Sequence, residues 1–138
     1  MLPTTTAVSF GAEVMAMDLE QVTGTIAANL IYWTADPWAV TLEVRGGVRS
    51  WVSWVFARCL LSDALVGRAP DGNVGDVVVT VSGSHVLLEL SSPSGHAFLR
   101  LRRADVERLL DKAEQLVPEG SESLDWDREM AWLAGEDA

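Results

Sequence analysis

Val8, Phe10, Ala12, Val14 and Ala16 occupy every second position between Thr6 and Met17. A period of two is the signature of a strand with one buried face, and such a strand needs partners. Gly24-Thr25 restarts it, and Ile26 to Trp33 is a compact apolar run with β-branched and aromatic members. Asp36-Pro37 ends that run, because Pro37 lacks an N–H and drives the residue before it out of the helical region. Val40, Leu42 and Val44 alternate again as far as Gly46-Gly47, a dipeptide able to supply the positive φ angles of a tight hairpin turn. The return strand is expected from Val48 to Val55.

The rest mixes both periods. Ala57 to Leu65 reads as a short helix, with Leu60, Leu61, Ala64 and Leu65 on one broad face. Gly67 to Gly75 is rich in Gly, Pro, Asp and Asn and reads as a loop. Asp76–Ser82 and His85–Ser91 are expected as strands joined at Ser82-Gly83-Ser84, and Pro93-Ser94-Gly95 turns into another from Ala97 to Leu101. Val106, Leu109, Leu110, Ala113, Leu116 and Val117 form a helical stripe facing a core. Pro118 and Gly120 stop it. Asp125 is placed to cap a last, acidic helix over about 125–134. The sum is a single α+β domain over residues 1–138, rich in antiparallel sheet, with about seven strands and three helices.

Charge is spread unevenly over the formal −10. Residues 1–44 carry five acids and no Lys or Arg; residues 45–110 carry eight arginines against six acids; residues 111–138 carry nine acids against Lys112 and Arg128. Such a chain repels phosphate backbones, whose proteins bind through Lys and Arg that displace counterions. No window approaches the roughly 20 apolar residues of a membrane span. Met1–Thr6 holds no basic residue and opens no long apolar run, which argues against a secretory signal. A single cysteine excludes an internal disulfide and fits a reducing cytoplasm.

No catalytic, cofactor-binding or metal motif stands out. Cys59, His85 and His96 are the only candidates for a Cys–His nucleophile pair, and nothing in their spacing brings them together. Cys59, beside Leu60 and Leu61, is expected to be a small apolar core residue. Both histidines fall at the edges of turns. The chain is read as non-enzymatic, with catalytic, cofactor and metal residues none.

Six tryptophans carry the interaction reading. Trp51 and Trp54 differ by three, so on a strand one faces the core and the other faces out, and an outward tryptophan is a good interface anchor. Trp33 and Trp38 flank the Asp36-Pro37 turn. Trp126 and Trp132 point to separate faces of the last helix, with Trp132 free to be exposed or to bury against another subunit. Arg49 and Arg58 lie near Trp51 and Trp54, the mixture of aromatics and arginines that single-stranded nucleic-acid modules use, although the acidic flanks weigh against it. Asp36 either caps local backbone, the preferred reading, or pairs with Arg58. Arg100, Arg102 and Arg103 form a candidate dock for an acidic peptide, in an alternation that also suits an exposed strand edge. The candidate contact residues are Trp38, Trp51, Trp54, Arg58, Arg100, Arg102, Arg103 and Trp132.

Several stretches also carry a family pattern. They are Tyr32, then Thr34-Ala35-Asp36-Pro37-Trp38; Trp54-Val55-Phe56-Ala57-Arg58 followed by Cys59-Leu60-Leu61; Gly75-Asp76-Val77; Leu90 to Gly95; and Val117 to Glu122. In that order and spacing the chain resembles the SsgA-like proteins, small regulators of sporulation-specific cell division in filamentous actinobacteria. Cys59 departs from the pattern, which usually has an acid there. The resemblance implies a fold similar to the whirly single-stranded-DNA-binding proteins, assembly as a homotrimer, and a cytoplasmic place at division septa. It implies as partners the division GTPase FtsZ, other septal proteins and SsgA-like paralogues. The alternative function is a single-stranded nucleic-acid-binding module.

Overall fold

The computed structural model describes residues 2–47, 50–68, 76–93 and 95–122. Seven strands form one antiparallel sheet: β1 (Thr5–Met15), β2 (Val22–Trp33), β3 (Ala39–Gly47), β4 (Ser50–Ala57), β5 (Val77–Ser82), β6 (His85–Ser92) and β7 (Gly95–Arg102). Two helices accompany it, α1 (Arg58–Leu65) between β4 and β5, and α2 (Arg103–Leu116) after β7. The strand order is β4-β3-β2-β1-β7-β6-β5. Two meanders, β1 to β4 and β5 to β7, are thus sewn together where Glu13, Val14 and Met15 pair with Arg100, Leu99 and Phe98.

The sheet curls around one core. Its inner face supplies Val8, Ala12, Ala28, Leu30, Tyr32, Val40, Leu42, Phe56, Leu88, Leu90, Leu99 and Leu101, all buried. α2 lies across β1 and β2 with Val106, Leu109 and Ala113 buried, the centre of the stripe seen in the sequence. α1 spans the gap between the outermost strands, packing on β5 and β4 with Leu61 fully buried. The curl is drawn in further by Trp54 of β4, whose indole N–H donates to the Ser91 carbonyl of β6 at 3.3 Å.

Alternation, apolar runs and turn residues located the strands, and the antiparallel-rich α+β class holds. The described residues contain two helices; the expected acidic helix over 125–134 lies outside them, as does the loop at 69–75. Two local expectations change. Gly46 does not turn the β3–β4 hairpin: β3 runs through Gly47, and Gly46 is absent from the positive-φ residues. Its need for glycine is close approach, since a Cβ there meets Val52 Cγ2 at 2.8 Å. Cys59 is exposed rather than in the core, because α1 turns its Leu61 side inward and Cys59 two positions earlier points away.

Candidate interaction surface and the residues that frame it

The stretches that carry the family pattern meet in space, and they meet mostly as packing nodes. The Tyr32 hydroxyl, buried, donates to the Pro37 carbonyl at 2.9 Å and accepts from Arg58 Nη1 at 3.3 Å. Around the Thr34–Trp38 turn, the Thr4 N–H donates to Thr34 Oγ1, the Thr34 N–H to the Thr4 carbonyl, and the Asp36 N–H to the Trp33 carbonyl. The Trp38 carbonyl then accepts the Arg58 N–H at 2.7 Å, satisfying one of the orphan donors at the start of α1. A second node joins the later stretches: the Ser91 N–H donates to the Asp76 carbonyl, while the Ser91 carbonyl takes the Trp54 indole.

Arg58 is the centre of the first node. It is 2% exposed, so it is an interior residue and not a surface contact. Its guanidinium donates to the Val117 carbonyl (2.8 Å) and to Glu114 (2.9 Å), stands 3.7 Å from Glu122, and lies over the Tyr32 ring at 5.2 Å. Its carboxylate partners are therefore Glu114 and Glu122, in place of Asp36, and Asp36 acts through its backbone. Burial raises the Tyr32 pKa above 10.0, opposed by the charge and hydrogen bond of Arg58.

The other arginines are also engaged. Arg100 makes a two-pronged contact with Glu13. Arg102 and Arg108 both donate to Asp105, a buried carboxylate in the first turn of α2, where the helix dipole favours negative charge. Arg103 donates to the Leu65 carbonyl at the end of α1 and pairs with Glu107. Arg100 is not on a sheet edge, because β7 pairs there with both β1 and β6, while Arg103 opens α2. His96 pairs with Glu89 and stacks on Phe98. His85 lines a shallow depression with Met15, Leu19, Leu87 and Arg100. Among the described residues no group of three or more His, Cys, Asp or Glu is placed to hold a metal ion.

Among the described residues, the outer face of β1 to β4 is left open. Register puts Ala7, Ile31, Thr41 and Val55 in one row across it. The next row, Ser9, Asn29 and Glu43, is a hydrogen-bonded ladder, Ser9 to Asn29 at 2.6 Å and Asn29 to Glu43 at 3.3 Å. Trp33 and Trp51 stand at opposite ends of this face, 49% and 44% exposed, and Val55 is 64% exposed. Arg45 covers the Trp51 ring at 5.7 Å. Trp38, in the turn after β2, is 45% exposed. The parity argument therefore assigns the tryptophans of β4: Trp54 turns inward against the core and Trp51 outward. Trp54 is a link that closes the sheet, which removes it from the free surface. Trp132 and Arg49 lie outside the described residues. Sequence reasoning missed the contribution of Val55 and Trp33: Val55 shares the side of Trp51 along β4, and Trp33 alternates with the inward Leu30 and Tyr32 along β2.

A curled antiparallel sheet and two helices tied to it by buried charges define a small α+β protein with exposed aromatics on one face. A family model described as Streptomyces sporulation and cell division protein, SsgA, matches residues 26–122. The sporulation-specific cell division protein SsgB of Frankia casuarinae is 41% identical over 111 residues, covering 78% of each chain. The SsgB protein of Streptomyces coelicolor is 39% identical over 117 residues, covering 80% of this chain and 83% of its own. Among solved structures, an SsgB of Streptomyces coelicolor, described with mutations that correlate to longitudinal cell division during sporulation, superposes with a TM-score of 0.77 at 35% identity and covers 88% of this chain and 95% of that one. The SsgA-like sporulation-specific cell division protein of Thermobifida fusca gives 0.74 at 30% identity, over 94% and 96%. The chain belongs to the SsgA family of sporulation and cell division proteins.

Proposed function

We propose that this chain acts in sporulation-specific division as a non-enzymatic, oligomeric scaffold that helps localise or assemble FtsZ at septa. The observation that carries the reading is the outer face of β1 to β4, where Trp33, Trp51 and Val55 stand exposed on a sheet whose inner face is already filled. Half-exposed aromatics of this kind anchor protein interfaces. Copies joined as a trimer would then add several weak contacts into firm polymer binding through effective concentration. The proposed setting is the cytoplasmic side of the septum, with paralogues of the family as further partners; no described helix is long and apolar enough to cross a membrane.

Co-sedimentation with polymerising FtsZ and GTP tests the proposal. The expected result is saturable, GTP-dependent carriage into the pellet, reduced by Trp38→Ala or Trp51→Ala in protein that still folds. Protein that stays in the supernatant at every FtsZ concentration overturns direct polymer binding. The nucleic-acid alternative gains little from the arginines, because Arg100, Arg102 and Arg103 are each paired with a carboxylate. A salt-sensitive shift of a single-stranded oligonucleotide would revive it.

A further inference from the structure

Residues after α2 do not leave the body of the protein at once. Val117 packs against the core, while Pro118, Glu119, Gly120 and Ser121 run exposed over the Arg58 node, and Glu122 folds back toward it. A left-handed residue, Gly120 at φ 93°, makes that return possible. The segment makes no strand pairing. Beyond Val117 its ties are polar: the Val117 carbonyl to Arg58, Glu122 to Arg58, the Glu119 N–H to the same Glu114 oxygen that Arg58 holds, and Ser62 Oγ to Glu119 at 2.7 Å. The first two are made by one guanidinium, and the third shares its Glu114 partner.

That guanidinium is not fully satisfied where it sits. Its Nε is buried and has no acceptor among the described residues. A buried donor without a partner costs free energy for as long as water is kept out. Apart from Val117 the segment buries little, and a segment held by few apolar contacts opens locally without unfolding the rest.

We infer that Val117–Glu122 is a releasable strap latched by Arg58. When it lifts, the sheet and both helices stay folded, while Glu122 moves away from α1. Arg58 is a positioning residue: it decides where Glu122 sits. The inference stands independently of any division partner.

Amide hydrogen exchange on the full chain tests it, comparing the native protein with Glu122→Gln and with Glu114→Gln/Glu122→Gln. Gln keeps the shape of each side chain and removes the charge that Arg58 holds. The expected result is exchange about tenfold faster at Ser121 and Glu122, whose amides do not bond the substituted carboxylates, in the double variant, and a smaller rise in the single one, while β6 and β7 exchange as before. Unchanged exchange at 121–122 in either variant overturns the latch. So does acceleration of the same size in the strap and in β6, which would make Arg58 an ordinary member of the core. Should the double variant fail to fold, the single variant decides by the same two criteria.

Discussion

At the scale of single residues, the chemistry of this chain turns on two polar groups inside an apolar shell, Tyr32 and Arg58. Tyr32 is the only tyrosine, and its hydroxyl is held between a carbonyl and a cation. Its raised pKa makes the folded state bind the phenolic proton more tightly than the unfolded chain does. Stability from this source is complete below the unfolded pKa of about 10.0 and is lost as pH rises past it. Tyr32→Phe should flatten the alkaline limb of a plot of melting temperature against pH, while lowering stability near neutrality by about 1 kcal/mol through the lost hydrogen bonds. An ultraviolet absorbance titration reads the same event directly, since one phenol titrates; ionisation at or below the ordinary tyrosine pKa would refute the burial argument. The sequence could not announce Arg58 as an interior residue. Its neighbours show a strand turning into a helix, and its partners at Glu114, Val117 and Glu122 are more than fifty residues away.

Elements were far more legible than their partners. β1 and β3 show in their alternation, β2 in a compact apolar run, and α2 in its stripe, because one buried face imposes its period on the residues that fill it. Which strands lie side by side has no comparable signature: three residues of β1 pair with three of β7 across more than eighty positions. The same limit explains why Arg100–Arg103 suggests an edge. Charges at alternate positions look alike on an edge strand and on an inner strand whose outward side chains meet carboxylates of neighbouring elements. β4 supplies the sharpest contrast between the two sides of one element. Trp54→Ala removes a ring packed on the core and the bond to Ser91, and should destabilise by about 2–4 kcal/mol in urea unfolding. Trp51→Ala, three residues away on the other side, should stay within about 0.5 kcal/mol of the native protein. Equal costs for the two would mean that the outer face is covered in solution.

For the whole molecule, net charge and surface pattern pull against each other, and salt separates them. Each copy carries a formal charge of −10, so copies repel at low ionic strength. The outer face of β1 to β4 is nearly free of that excess: Glu13 is paired with Arg100, and Glu43 is offset by Arg45 two positions on. An assembly built on this face gains from apolar burial while paying for long-range repulsion. Salt screens the repulsion and leaves the burial intact. Sedimentation velocity should therefore show self-association strengthening as salt rises to about 0.5 M, where the screening length falls to a few ångströms. Val55→Asp places a carboxylate in the apolar row beside Thr41 and should weaken association by about tenfold or more at every salt concentration, with the melting temperature little changed. The opposite salt response, assembly dissolving as salt is added, would locate the contact in ion pairs between the acidic end of one copy and the arginines of another. Val55→Asp would then leave it intact, and the outer face would be open to a different protein.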